Sequence, residues 1–212
     1  MRIIQVDLSK DYREAIDEAI AVLNYGGTVV YPTDTIYGLG ANALNLNAVE
    51  KIYKIKKRSF SKPLPIIVKN MIWVNELAYV NSKNEEILKK AWPGRVTAIL
   101  PKKNIIPNTV TARGNSIGMR IPDYMFIDKL LGRFGYPLTA TSANISGGEG
   151  TEDINRIIEM FKNALWKPDL IIDVGILPKS DPSTVIDLTM EKPKILRVGP
   201  SRPDQFLKLL DI

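Results

Sequence analysis

The sequence predicts an α/β protein, a twisted mixed β-sheet flanked by helices, folded as one domain over residues 1–212. Three observations carry this expectation. Short β-branched runs alternate with segments of helical periodicity, and 212 residues suffice for one substantial core. Hydrophobic residues at 45% and charged residues at 25% give a globular balance, with no apolar run long enough to span a bilayer.

Asp11-Tyr12-Arg13-Glu14 has capping-box spacing, and Tyr12, Ala15, Ile16, Ala19, Ile20 and Leu23 recur at three and four residues, which predicts an amphipathic helix ended by Gly26 and Gly27. Thr28 to Tyr31 reads as a strand stopped by Pro32, and Asn47 opens a second helix carrying Val49, Ile52 and Tyr53. Further strands are expected at Pro65 to Val68, Val96 to Leu100, Ile117 to Ile121, Leu138 to Thr141, Leu170 to Val174, Thr184 to Leu188 and Lys194 to Val198. Ser82-Lys83-Asn84-Glu85 forms another capping box, and Thr151 precedes the periodic Ile154, Ile157, Ile158 and Phe161. Connections between Asp173 and Lys194 are too short for helical crossovers, so the late strands are expected to run partly antiparallel.

The chain contains no cysteine and no histidine. Disulfides, thiolate nucleophiles, zinc fingers and imidazole bases are therefore excluded, and any chemistry falls to Lys, Arg, Asp, Glu, Ser, Thr, Asn or Tyr. With 29 basic and 23 acidic residues the net charge is +6, which favours anionic partners such as nucleotides or RNA. The start of the chain meets Asp7 before any continuous apolar stretch, so a signal peptide is not expected and the cytoplasm is the natural location.

Three segments concentrate chemical potential. Tyr31-Pro32-Thr33-Asp34-Thr35-Ile36-Tyr37-Gly38-Leu39-Gly40 crowds hydroxyls and glycines after a strand, where α/β proteins place ligands; either Thr33 and Thr35 hold a small polar ligand, with the glycines permitting close backbone approach or positive φ, or the segment is simply a tight turn. Gly38 to Ala43 matches the dinucleotide pattern G-x-G-x-x-A, but a six-residue polar loop separates it from the strand, and no P-loop sequence exists. Lys54 to Lys62 carries five cations in nine residues, which suits either a helix dipole or a triphosphate. Thr139 to Gly148 is small and polar, suited to an anion or ribose or simply to a turn. Arg120, Ser183 and Arg197 each sit beside a Pro or Gly on an apolar strand, which makes one convergent site plausible.

In order along the chain, these segments resemble the threonylcarbamoyl-AMP synthase (YrdC-like) family. The signatures are YPTxTxYGLG at Tyr31 to Gly40, KxRxxxxPL at Lys56 to Leu64, WPGxxT at Trp92 to Thr97, RxP at Arg120 to Pro122, SANxSG at Ser142 to Gly147, PSTVxDLT at Pro182 to Thr189 and RxG at Arg197 to Gly199. The resemblance implies a fold with an electropositive concave face. It implies that Lys56, Arg58, Ser142 and Asn144 form the family's catalytic tetrad, that Thr35, Arg120 and Ser183 contact threonine, and that Arg58, Lys62, Ser142 and Arg197 contact ATP. Arg95 and Ser59 stand where many members have proline, and Ile67 where many longer members have a histidine near threonine. The carboxyl-terminal domain of longer members is not expected, which makes this the short, single-domain form.

The implied reaction joins L-threonine, bicarbonate and ATP into threonylcarbamoyl-AMP and pyrophosphate. The product passes to a separate tRNA threonylcarbamoyl transferase. Mg²⁺ would come with ATP, without dedicated protein ligands. Two alternatives stay open at this point. One is a basic RNA-binding module without ATP turnover, possible if tRNA contacts the face directly; the other is a carbamoyl-transfer domain like that of hydrogenase-maturation proteins.

Overall fold

The computed structural model describes residues 1–199. In chain order its elements are β1 (Arg2–Gln5), α1 (Arg13–Asn24), β2 (Val29–Tyr31), β3 (Gly38–Gly40), α2 (Leu46–Lys56), β4 (Ile66–Ile67), α3 (Met71–Leu77), α4 (Ser82–Ala91), β5 (Val96–Pro101), β6 (Ser116–Arg120), α5 (Met125–Phe134), β7 (Leu138–Thr139), β8 (Thr141–Ser142), α6 (Ile154–Lys162), β9 (Leu170–Asp173), β10 (Thr184–Asp187) and β11 (Lys194–Arg197). The mixed α/β class is as expected. Its strands divide between two mixed sheets, ordered β1-β9-β2-β3-β8 and β11-β10-β5-β6-β4-β7.

The division occurs where the sequence suggested one strand from Leu138 to Thr141. Leu138 and Thr139 pair antiparallel with β4, while Thr141 and Ser142 pair antiparallel with β3 in the other sheet. Between them the Ala140 N–H turns to the Pro65 carbonyl at 2.7 Å. A strand that changes sheets in this way makes a corner, and this corner becomes one wall of the site. The late strands are partly antiparallel, as expected: β11 runs antiparallel to β10, although β10 runs parallel to β5.

Helix starts differ from the sequence expectation by one or two residues, because the side chain best placed to accept an orphan N–H decides the cap. Asn45, not Asn47, caps α2 by accepting from Ala48 N, and Asn81, not Ser82, caps α4 by accepting from Asn84 N. Asp153 caps α6, accepting from Asn155 N, and the Thr151 hydroxyl accepts from Asp153 N. The capping box expected at Asp11 to Glu14 does not form: Tyr12 occupies the cap position without a side-chain bond, and Asp11 accepts from Arg13 N.

Each helix buries the face its periodicity marks. In α1 this is Ala15, Ile16, Ala19 and Leu23; in α5 it is Phe126, Ile127, Leu130, Leu131 and Phe134, and α5 ends at the left-handed Gly135 with φ 80°. These two helices pack together over β9 and β2 as one core, and a larger core fills the space bounded by α2, α4, α6 and the second sheet.

Two glycines in β3 have a reason other than the one the motif suggested. Neither Gly38 nor Gly40 has positive φ. A Cβ on Gly38 would lie 2.6 Å from the ring of Tyr31, and one on Gly40 would lie 2.5 Å from the Thr139 carbonyl oxygen and 2.7 Å from the same ring. The glycines therefore make room for Tyr31, which is fully buried and donates its hydroxyl to Thr139 O at 3.1 Å. Their close approach is to the protein's own core.

Candidate active site

A cavity of about 440 Å³ opens between the two sheets, within the size range of small-molecule sites. Its walls include the β2–β3 loop, β4, the ends of β5 and β6, the β7–β8 corner and the β10–β11 hairpin. Six residues singled out from sequence line it together: Thr35, Arg58, Arg120, Ser142, Ser183 and Arg197. Among the described residues, the charged side chains of the lining are the three arginines, with no carboxylate among them.

Hydroxyls order the β2–β3 loop in one direction. The Thr33 hydroxyl donates to the Ile36 carbonyl at 2.7 Å, so toward the Thr35 hydroxyl 3.0 Å away it acts as acceptor. Thr35 in turn accepts from Arg120 Nη1 at 3.2 Å. The relay Arg120 to Thr35 to Thr33 to Ile36 leaves Thr35 lone-pair capacity for a ligand, whereas Thr33 is consumed in holding the loop.

Arg120, at the end of β6, is buried. Its Nε donates to Gly94 O at 2.8 Å, and its Nη2 meets Asp34 Oδ1 at 2.5 Å in an ion pair whose side chains are 9% and 7% exposed. Burial pushes its pKa down, and the Asp34 charge opposes that shift. Sequence reasoning passed over Asp34, which occupies a spacer position of its motif.

Arg58 reaches the cavity because α2 ends in a left-handed residue, Lys57 at φ 49°, which lets the Arg58 N–H return to Tyr53 O at 2.9 Å. Its guanidinium donates to the carbonyls of Lys62 at 3.3 Å and Pro63 at 2.9 Å. The ammonium of Lys62 does not line the cavity; Lys62 is exposed, and its carbonyl accepts from Arg58 and from the Tyr53 hydroxyl.

Lys56 and Asn144 lie behind the lining. The Lys56 ammonium, 1% exposed, donates to Ser142 O at 2.6 Å, Asn144 O at 2.8 Å and Asn144 Oδ1 at 2.9 Å. All three of its donors are thus spent on the loop after β8. Asn144 Oδ1 also accepts from the Ser142 hydroxyl at 2.5 Å, and the Asn144 amide donates to Gly148 O. Burial and neighbouring Arg58 lower the Lys56 pKa to about 7. This pair shapes the loop on which Ser142 faces the cavity.

On the opposite wall the Ser183 and Thr97 hydroxyls are 2.8 Å apart. Arg197 clasps Ser183 with two bonds to its carbonyl at 2.9 and 2.7 Å and one to its hydroxyl at 3.3 Å. Thr97 was not assigned a role from sequence, although it closes the WPGxxT signature.

Comparison with known proteins identifies the family. Residues 21–199 match the Sua5/YciO/YrdC family model, whose description is telomere recombination. The chain is 41% identical over 201 residues to a putative threonylcarbamoyl-AMP synthase of Methanocaldococcus jannaschii, covering 93% of each protein. It is 37% identical over 193 residues to the threonylcarbamoyl-AMP synthase of Pyrococcus abyssi, covering 88% of this chain but 56% of that one. Among solved structures it superposes on P. abyssi Sua5 complexed with L-threonine with a TM-score of 0.92 at 33% identity, covering 99% of this chain and 61% of that one. Escherichia coli YciO follows the whole chain, with a TM-score of 0.85 at 28% identity, 99% of this chain and 98% of that one. From the ordered signatures, the two-sheet fold and these matches, the chain belongs to the Sua5/YciO/YrdC family.

Proposed function

We propose that the chain is an L-threonylcarbamoyladenylate synthase, a nucleotidyltransferase that makes threonylcarbamoyl-AMP and pyrophosphate from L-threonine, bicarbonate and ATP. The observation that carries this reading is the gathering of Arg120, Thr35 and Ser183 with Arg58, Ser142 and Arg197 around one cavity whose lining holds no acid among the described residues. It is supported by relatives named as this synthase and by the likeness to a threonine-bound structure.

In this reading Arg120 pairs with the threonine carboxylate, and Thr35 and Ser183 orient the amino acid. Arg58, Ser142 and Arg197 face the phosphates, with exposed Lys62 contributing at the rim. Threonine's amine condenses with bicarbonate to a carbamate, releasing water. A carbamate oxygen then forms a bond to the α-phosphorus of ATP as the bond to the bridging oxygen breaks, and pyrophosphate leaves with that electron pair. No protein nucleophile is needed; catalysis rests on alignment and on cationic donors placed where charge develops. Lys56 and Asn144 hold the Ser142 loop for this purpose.

The donor set fits no resident metal cage. Among the described residues the lining has no carboxylate, and no cluster of three or more His, Cys, Asp or Glu side chains exists. Mg²⁺ would enter as part of the ATP substrate, held by phosphate and water oxygens.

The catalytic domain would work in the cytoplasm, handing its product to a tRNA threonylcarbamoyl transferase. Among the described residues no helix is long and apolar enough to cross a membrane. Named synthases among the relatives favour this reading over a purely RNA-binding role.

The test is pyrophosphate release from ATP and bicarbonate with L-threonine, L-serine or no amino acid, for wild type and Arg58→Ala. Threonine-dependent release that collapses in the variant is expected. Absence of release with every amino acid would defeat the synthase reading.

A further inference from the structure

The buried acid beside the cavity has no place in the chemistry described so far. Thr33 and Thr35 both face the cavity, whereas Asp34 between them does not line it. Its carboxylate points behind Arg120, where Oδ1 meets Nη2 at 2.5 Å and Oδ2 accepts from Asp123 N at 3.4 Å. That second bond ties it to the turn between β6 and α5, so it links two walls of the site.

Arg120 has five N–H donors, of which three are engaged by Gly94 O, Thr35 Oγ1 and Asp34 Oδ1. Two remain to meet a ligand carboxylate. Which two they are depends on how the planar group is rotated, and a guanidinium reads carboxylate geometry only when its plane is held. Gly94 and Thr35 are neutral acceptors, and the repulsive charge of Arg95 also acts on Arg120. Asp34 is the charged partner with which Arg120 forms an ion pair.

We propose that Asp34 is a positioning residue for amino-acid recognition, fixing the Arg120 guanidinium so that its remaining donors read the α-carboxylate of the substrate. The assignment rests on the synthase reading. It makes carboxylate recognition, not ATP binding, the property that Asp34 controls. It also requires the acid's reach to matter as well as its charge, because one more methylene would rotate the guanidinium out of register.

Calorimetric binding of L-threonine, L-threoninamide and ATP to wild type, Asp34→Asn and Asp34→Glu separates the possibilities. Wild type should prefer threonine over threoninamide by at least about tenfold, the scale of one charge-assisted pair. Both variants should bring that preference within about threefold while ATP affinity stays within about twofold. Asp34→Glu keeps the buried charge balanced, so it carries the test if Asp34→Asn fails to fold. An unchanged preference in either folded variant overturns the assignment, as does an increased one, which would make Asp34 a competitor for Arg120. A joint loss of threonine and ATP binding overturns it too, since that marks a general structural role. Wild type that binds ATP but does not distinguish threonine from threoninamide removes the synthase reading and the Asp34 assignment together.

Discussion

Replacing Lys56 by methionine keeps an unbranched side chain in the buried slot and removes the amino group, ammonium below pH 7 and amine above it, that holds the Ser142 loop. The effect on stability should depend on pH in a defined direction. Below pH 7 the lysine is protonated in folded and unfolded chains alike, and the folded chain bears the cost of burying the charge. Above its folded pKa of about 7 the folded chain releases the proton, while the unfolded chain retains it up to the ordinary value of 10.5. Over that window the unfolded state binds more protons, so the lysine's contribution to stability rises with pH; it is fully present above 10.5 and lost as pH falls through 7. At about 1.36 kcal/mol per pH unit, the contribution grows by roughly 3 kcal/mol between pH 7 and 9.5.

Methionine has no such term. The stability difference between wild type and Lys56→Met should therefore widen in favour of wild type by about 3 kcal/mol over that range, or roughly 6–12 °C in Tm for a chain of this size. Thermal or urea unfolding of both proteins at the two pH values measures it, and other titrating groups cancel in the comparison. A difference that stays constant, or narrows with rising pH, would refute the reasoning. Threonine-dependent turnover by the variant should be low at every pH, because the carbonyls of Ser142 and Asn144 lose the donor that sets the loop.

Three further perturbations test other parts of the structure. Gly40→Ala should destabilise by about 1–3 kcal/mol, and more than Gly38→Ala, because its Cβ meets a backbone oxygen at 2.5 Å while that of Gly38 meets a ring; chemical denaturation ranks the two. Thr35→Val keeps the side-chain shape but removes an acceptor to a charged group, so KM for threonine should rise about tenfold or more with KM for ATP unchanged, as initial-rate kinetics would show. Ile67 is 3% exposed and lines the cavity; Ile67→Ala should cost about 2–5 kcal/mol and lower the preference for threonine over serine by up to about tenfold in competing-substrate assays.

Much of the fold was legible because it follows from local patterns. Strands rich in β-branched residues, such as β5, β9 and β10, lie within a residue or so of where their runs place them. What local pattern misses is of two kinds. β3 is Gly-Leu-Gly, which has little strand propensity of its own; it is a strand because β2 and β8 pair with it and Tyr31 fills the space a side chain would need. The break at Ala140 is likewise invisible along the chain, since its cause is a hydrogen bond to Pro65, 75 positions away in sequence.

The site divides along the same line. Arg120, Ser183 and Arg197, beside Pro or Gly at strand ends, could be read as convergent, and they do share a cavity with Thr35, Arg58 and Ser142. The orientation of each group is set by partners that sequence order does not reveal. Lys56 looks like one cation among five, yet its three bonds run to residues 86 and 88 positions away. Asp34 looks like a spacer, yet its partner lies 86 positions away on another strand. In both cases the group that touches the cavity is a short polar or planar side chain, and the charge that holds it is buried one layer back. A motif records which residues occur together along the chain, but a buried charge is recognised by the cost of leaving it without hydrogen-bond partners. That cost exists only after folding has removed water, which is why the partners that fix Lys56 and Asp34 became readable from the structure, although the ordered signatures already named Lys56 and Asn144.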